Sequence, residues 1–233
     1  ISGFDPLRRE IAKVSLERLM HDGRIHPTRI EEIVEKVKVD IDKLMYEEAE
    51  KIIFELGLSD FHPELIKVLG RLKYRTSYGQ NNLYHAREAS YICGIMASEL
   101  GLDVRLARRG ALLHDITKTK SLTTGEDHAT TGSELLEKLG FKSISEIVRQ
   151  HVTADNAANS PSISEVEIVN YADKRVLHNK VVTLRERFDD LRKRYDINQE
   201  RVYLTSQSEK SAIEVEKKIF SKLDMTSDAL LSI

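Results

Sequence analysis

The chain has 233 residues, 40% of them hydrophobic and 32% charged, with a formal net charge of −2 at pH 7. This balance is typical of a soluble globular protein and argues against strong overall attraction to nucleic acid, although a local basic patch remains compatible with it. The single cysteine, Cys93, excludes an internal disulfide and suits a reducing cytosol, and no apolar run approaches the roughly 20 residues that a membrane helix needs.

Helix-breaking residues are scarce, with four prolines and eleven glycines, which favours an all-α fold. In the N-terminal part, a proline directly after Asp5, His26 and His62 predicts three helix starts. These helices should cover about 6–22, 27–56 and 63–70, and the polar stretch 71–82 predicts a loop or a helix junction. From Tyr84 onward the pattern predicts a compact helical bundle. Its helices are expected at about 84–100, 103–116, 127–139, 143–153, 163–178 and 180–195, with a tail helix at about 207–223.

Ionisable side chains interrupt the apolar stripes of several successive helices. The set comprises His85, His114, Asp115, His128, His151 and Asp173. His85 and Asp173 each continue a stripe of aliphatic residues, so they should point inward. The pair His114-Asp115 follows an apolar run near a helix end, where ionisable groups are costly unless they are paired or bound to metal.

These residues favour a metal site as a set rather than one by one. A single inward histidine or aspartate is more often a satisfied core residue, a cap or an ion-pair partner. Several of them converging inside a helical bundle are what a metal site requires. Imidazole with carboxylate suits Mn, Fe, Zn or Ni and can tolerate Mg, so the sequence predicts a divalent-metal site with one or two ions. The other histidines are expected to be structural: His21, His26, His62 and His178.

The order of four of these residues resembles a family signature. His85, His114-Asp115 and Asp173 follow the pattern of the HD phosphohydrolase superfamily, whose members are all-helical metal-dependent hydrolases. Upstream, four runs are similar to the ribonuclease Y family within that superfamily: residues 4–12, 22–32, 62–66 and 72–81. The last run is the most specific of the four.

The resemblance implies a domain organisation and an activity. Ribonuclease Y enzymes are membrane-anchored bacterial endoribonucleases in which a coiled coil and an RNA-binding KH domain precede the HD domain. By this similarity, residues 1–20 are the end of a truncated KH-like domain, 21–70 a helical connector, and 71–233 the HD domain with a helical tail. The chain itself would be cytoplasmic and free of membrane contact, with any anchor upstream, and its amphipathic surfaces would suit a homodimer.

The same similarity implies roles for the site residues. The implied metal ligands are His85, His114, Asp115 and Asp173 for one ion and His128 and His151 for a second, with Asp115 bridging. Metal-activated water would then attack a phosphodiester. Asp115 and Lys118 are the expected catalytic residues. Lys118 would contact a phosphate oxygen, and the alternative is a solvated lysine at a helix end. Arg149 is a second phosphate candidate or a surface residue.

A basic and aromatic cluster precedes the predicted bundle. Arg71, Lys73 and Arg75 alternate with Tyr74 and, further on, Tyr78. Such a cluster suits contact with an RNA backbone and stacking on bases. Packing at the junction between connector and HD domain is the alternative.

Two features depart from the ribonuclease Y pattern. Thr117 stands where that family has glycine, and Val152 follows His151 where the family often has a second histidine. The run 170–175 is more similar to small nucleotide-cleaving HD enzymes, including the diadenosine tetraphosphate hydrolases. The alternative function is therefore hydrolysis of a dinucleoside polyphosphate or a nucleotide monoester. A third reading is a non-catalytic helical module for dimerisation or RNA docking.

Overall fold

The computed structural model describes residues 1–3, 5–77, 79–153, 161–195 and 198–232. Its α-helices are α1 (Pro6–Asp22), α2 (Pro27–Glu55), α3 (Pro63–Arg71), α4 (Asn82–Glu99), α5 (Val104–Leu113), α6 (Lys118–Thr124), α7 (His128–Lys138), α8 (Lys142–Gln150), α9 (Glu165–Arg175), α10 (Leu184–Tyr195) and α11 (Gln199–Phe220). Two antiparallel hairpins pair β1 (Thr76–Ser77) with β2 (Gln80–Asn81) and β3 (Val176–Leu177) with β4 (Lys180–Val181), and 3-10 turns lie at Leu72–Tyr74 and Ser227–Ser232. The predicted all-α fold is confirmed. In the described part of the chain, no helix is both long and apolar enough to cross a bilayer.

The first two helices form an N-terminal pair. Asp5 caps α1, because its carboxylate accepts hydrogen bonds from the backbone nitrogens of Leu7 and Arg8, and Gly23 ends the helix with a φ of 74°. Apolar residues of α2 recur every three or four positions and so share the helix face that packs on α1. The buried residues of this contact are Leu19, Ile33, Val37, Ile41 and Met45.

Helix α2 continues from this pair into a second hydrophobic core. Ala49 and Ile52 of α2 are buried together with Leu69 of α3, Leu83 of α4 and Leu112 of α5. The segment predicted as a connector therefore shares its core with the helical bundle. The domain boundary at residue 70 stays a prediction.

The largest core lies between the later helices. Ile92 of α4, Ala107 of α5 and Val169 of α9 are buried in it together with Phe188 of α10 and Ile219 of α11. This packing holds the start of α4, the end of α5 and the last turn of α9 close together. Those three places carry four residues of the predicted metal site, His85, His114, Asp115 and Asp173.

The helix boundaries differ from the predicted ones where turns intervene. Helix α5 ends at Leu113, and the segment to α6 forms tight turns in which the backbone nitrogen of Lys118 donates to the carbonyl of Asp115 at 2.9 Å. The predicted helix 163–178 ends at Arg175, because the next residues pair as a hairpin in which His178 has a φ of 58°. Helix α6 was not predicted, and α11 begins eight residues earlier than the tail helix predicted from 207.

Candidate metal centre

One group of ionisable side chains lies where α4, α5 and α9 meet. Nε2 of His85 is 2.9 Å from Oδ1 of Asp173. Nε2 of His114 is 3.6 Å from the same oxygen and 3.5 Å from Oδ2 of Asp115. His85, His114 and Asp115 are each 1% exposed, whereas 20% of the Asp173 side chain is exposed. The group is therefore buried, with its opening towards Asp173.

A second group lies on the other side of Asp115. His128 is the first residue of α7, and His151 directly follows α8, so helix ends position both. Nε2 of His128 and Nε2 of His151 are 3.3 Å and 3.8 Å from Oδ1 of Asp115, and they are 3.1 Å from each other. Asp115 thus turns one carboxylate oxygen towards each group.

Backbone carbonyls orient two of the histidine rings. Nδ1 of His114 donates to the carbonyl of Ala111, and Nδ1 of His151 donates to the carbonyl of Val148, both at 2.6 Å. A neutral ring, the form that binds a metal, carries its lone pair on Nε2 when it donates through Nδ1. Both lone pairs then point into the space around Asp115.

The two groups concentrate negative charge in a buried place. Burial alone would raise the pKa of Asp115, but Lys118 and His114 hold it well below its usual range. Burial likewise opposes ionisation of Asp173, but His114 lowers its pKa. Burial opposes charge on His114 too, yet the two carboxylates raise its pKa to about 10. Burial and the charge of His114 lower the pKa of His151 to about 3. Positive charge is therefore favoured between the two carboxylates.

The donor set fits a divalent metal. Nε2 of His114 and Oδ1 of Asp115 are buried and have no hydrogen-bond partner within the described residues. Buried polar atoms without a partner are costly unless something else binds them. The candidate ligand atoms form two sets, and within each set all atoms lie within 4.8 Å of one another. The first set comes from His85, His114 and Asp115, and the second from Asp115, His128 and His151. Imidazole nitrogen and carboxylate oxygen are suitable ligands for first-row divalent metals.

The two predicted phosphate contacts lie in different surroundings. Lys118 is the first residue of α6, and its Nζ donates to Oδ2 of Asp115 at 2.7 Å, with 30% of the side chain exposed. Arg149 donates through Nε to Ser133 at 3.1 Å and pairs with Glu137 at 3.8 Å. Lys118 is therefore at the candidate centre, whereas Arg149 contacts α7.

The predicted basic and aromatic cluster is divided between two places. Nζ of Lys73 pairs with Glu48 of α2 at 2.8 Å, a packing contact. Arg71 and Arg75 line a cavity next to the candidate centre. Tyr78 lies outside the described residues.

Three buried polar residues near the centre were missed from the sequence. Nδ2 of Asn82 donates to Oδ2 of Asp115 at 3.4 Å. Nδ2 of Asn170 and Nζ of Lys174 donate to the carbonyl of His151 at 2.9 Å and 3.4 Å. A polar residue in the middle of an apolar helical segment is the signal that could have revealed Asn170.

A family comparison covers this region. The model of the HD domain family matches residues 82–176. That segment contains the residues of both groups: His85, His114, Asp115, His128, His151 and Asp173. Residues 82–176 are therefore similar to an HD domain.

Curated relatives extend the similarity beyond the HD domain. The chain is 42% identical over 205 residues, 84% of its length, to "Ribonuclease Y" of Alkaliphilus metalliredigens, of which it covers 42%. It is 55% identical over 140 residues to "Ribonuclease Y" of Syntrophobacter fumaroxidans, which is 60% of this chain and 27% of that relative. Identity to "Ribonuclease Y" of Clostridium perfringens is 57% over 138 residues, which is 59% of this chain and 27% of that relative.

The chain therefore spans less than half the length of these relatives. No solved structure matched it. The family match and the relatives agree with the class predicted from the sequence, an HD-type metal-dependent phosphohydrolase.

Proposed function

We propose that the chain is the catalytic part of an endoribonuclease that hydrolyses phosphodiester bonds with divalent metal. The observation that carries this proposal is the meeting of two ligand groups at Asp115. One oxygen of this carboxylate is 3.5 Å from Nε2 of His114, and the other is 3.3 Å from Nε2 of His128. When bound, divalent ions supply Lewis acidity to a phosphoryl group and lower the pKa of water towards about 7.

The residues of the chain divide the work in this proposal. One ion would be held by His85, His114 and Asp173. A second ion would be held by His128 and His151, and Asp115 would contact both ions. Hydrogen bonds from Nδ1 to backbone carbonyls keep the Nε2 lone pairs of His114 and His151 directed inward. Lys118 is partly exposed beside Asp115, so its ammonium group can turn from that carboxylate to a phosphate oxygen.

RNA as the substrate is supported by the relatives. Three of them carry the name ribonuclease Y, and the similarity to one covers 84% of the chain. Because the chain spans less than half of each relative, the activity, partners and cellular place of the whole protein are part of the proposal. We propose that this part lies in the cytoplasm and that a longer parent protein carries a membrane anchor. We also propose that the chain forms a homodimer.

The proposal is tested with purified protein. Bound metal is measured by elemental analysis, and cleavage of single-stranded RNA is compared with hydrolysis of a panel of nucleotides and dinucleoside polyphosphates. Asp115→Ala removes the shared ligand, so we expect it to lose both the metal and the RNA cleavage. Asp42→Ala, at an exposed position on α2, is the matched control and should retain both.

Each other result points to a different function. Hydrolysis confined to the small nucleotides would replace the ribonuclease by the nucleotide phosphohydrolase. No metal and no hydrolysis, with Mn or Mg supplied, would leave a non-catalytic module.

A further inference from the structure

A cavity of about 480 Å³ lies between the N-terminal helices and the HD domain. Its apolar walls come from Leu7 of α1, Val68 of α3, Tyr74, Ile116 and Leu135. Sites for small molecules typically have volumes of about 300–1,000 Å³ and mostly apolar walls with a few polar groups. The cavity is therefore large enough for one nucleoside.

The cavity and the candidate metal centre share a wall. Ile116 and Thr117 line the cavity and directly follow Asp115 in the chain. Oγ1 of Thr117 donates to the backbone carbonyl of His128 at 2.8 Å. Burial lowers the pKa of Arg75 at the cavity, and the nearby charge of Asp115 opposes that shift. The cavity therefore lies directly beside the candidate metal centre.

Two arginines at the cavity have charge available for an anion. Within the described ranges, neither Arg71 nor Arg75 forms an ion pair with a carboxylate, whereas Lys73 between them pairs with α2. Arg75 donates through Nη1 to the carbonyl of Thr76 at 3.0 Å, and its buried Nε has no partner among those residues. The carboxylate of Asp5 also lines the cavity, but it accepts hydrogen bonds from the first backbone nitrogens of α1.

We propose that this cavity binds the nucleoside of an RNA strand that adjoins the phosphodiester at the metal centre. Arg71 and Arg75 would contact the flanking phosphates. The apolar walls and the ring of Tyr74 suit a planar base, and guanidinium groups suit phosphate oxygens. A strand that carries both bases and phosphates matches both features of the cavity. The inference rests on the proposed function, which it deepens by naming a substrate subsite.

Binding can be separated from cleavage in protein freed of metal by a chelator. A short, fluorescently labelled single-stranded RNA is titrated with wild-type protein and three variants at several salt concentrations. Arg75→Gln removes a charge from the cavity, and Val68→Phe fills part of it. Arg201→Gln removes a charge from an exposed arginine of α11 and serves as the matched control. Circular dichroism and thermal melting verify that each variant is folded.

The affinity for RNA and its dependence on salt distinguish the effects expected of the variants. Arg75→Gln should weaken RNA binding about tenfold and reduce the slope of log K against log salt by about 0.7, because one phosphate contact is lost. Val68→Phe should weaken binding with the slope unchanged, since it removes space and not charge. Arg201→Gln should change the affinity much less than either.

The inference is overturned if wild-type protein does not bind the RNA, or if both cavity variants bind it as wild type does. Competition by adenosine monophosphate with the affinity of the RNA would overturn the assignment to a strand. RNA that binds in the expected way but is not cleaved with metal would retain this inference and reject the proposed function. Metal-dependent cleavage of RNA, with RNA binding unchanged in both cavity variants, would support the proposed function and reject this inference.

Discussion

At the scale of single residues, Lys118 contacts Asp115 and is also the proposed contact for a phosphate oxygen, and experiment can separate these two roles. Its Nζ lies 2.7 Å from Oδ2 of Asp115, and its side chain is 30% exposed. We predict that Lys118→Met slows RNA cleavage about tenfold to a hundredfold, because a hydrogen bond to a charged group contributes roughly 1.5–3 kcal/mol. Metal content should stay unchanged, since lysine is not among the expected ligands. The measurement is the cleavage rate at saturating metal, with elemental analysis of the same sample.

The control for this variant is an exposed lysine outside the candidate centre. Lys138→Met on α7 removes the same charge and should cleave at the wild-type rate. Loss of metal together with the rate in Lys118→Met would show that the lysine acts only by supporting Asp115.

At the scale of elements, α9 connects the two ligand groups. It carries Asp173, and its buried residues Asn170 and Lys174 donate to the backbone carbonyls of His151 and Val152 just beyond the end of α8. Carbonyls at a helix end have no partner within their own helix. These contacts therefore fix the position of His151 relative to Asp173.

We predict that Asn170→Ala weakens metal binding about tenfold to a hundredfold, as expected when a residue that supports a metal ligand is removed. The loss of buried hydrogen bonds should also lower the free energy of unfolding by about 1–3 kcal/mol. Metal titration and urea unfolding measure the two effects. Val215→Ala destabilises the core at α11 without contacting either ligand group, so it should bind metal as wild type does. Equal metal affinities of wild type and Asn170→Ala would mean that α8 holds His151 without this contact.

The crossing of α2 and α3 depends on the absence of a side chain at Gly70. A Cβ at this position would overlap the backbone carbonyl of Met45, and backbone cannot move aside as a flexible side chain can. We predict that Gly70→Ala lowers the free energy of unfolding by about 1–3 kcal/mol, the usual cost of overpacking. Urea unfolding measures it, with Lys67→Ala on the exposed face of α3 as the control. A Gly70→Ala protein as stable as wild type would contradict this close approach.

The elements differ in how far the sequence alone predicted them. Pro6, Pro27 and Pro63 mark the starts of α1 to α3 because the signal is local: proline fits the first turn of a helix. The hairpin after α9 was read as helix, because its residues also fit a helical pattern and only pairing across the turn at His178 determines the alternative. The polar neighbours of the metal centre, such as Lys174, depend on contacts between helices that periodicity does not contain.

The candidate site was also predictable only in part, because some of its signals are local in the sequence and others depend on contacts between helices. Inward-facing ionisable residues on apolar stripes are visible in the sequence, and the structure brings His85, His114, Asp115 and Asp173 together as that pattern suggested. The partner of Lys118 was not visible, because the helix was predicted to run to 116, whereas the chain leaves α5 at Leu113 and turns before α6 begins at Lys118.

At the scale of the whole molecule, the candidate ligand residues come from five helices or helix ends, between positions 85 and 173. Such a set is assembled only in the folded chain, so a metal that binds it must stabilise the fold. Metal present at about 100 times its dissociation constant contributes roughly 2.7 kcal/mol. For a chain of this size, each kcal/mol raises the melting temperature by about 2–4 °C. We therefore predict that Mn raises Tm by about 5–10 °C over protein with chelator.

The comparison of two aspartates decides whether this stabilisation comes from the candidate centre. Asp115→Ala removes the residue that both ligand groups share, so its Tm should be the same with Mn and with chelator. Asp42→Ala keeps both groups and should show the full shift. A shift of equal size in Asp115→Ala would assign the stabilising metal to another place in the chain, and with it the proposed chemistry of the HD domain would lose its main support. No shift in wild type would mean that Mn does not bind the folded chain tightly.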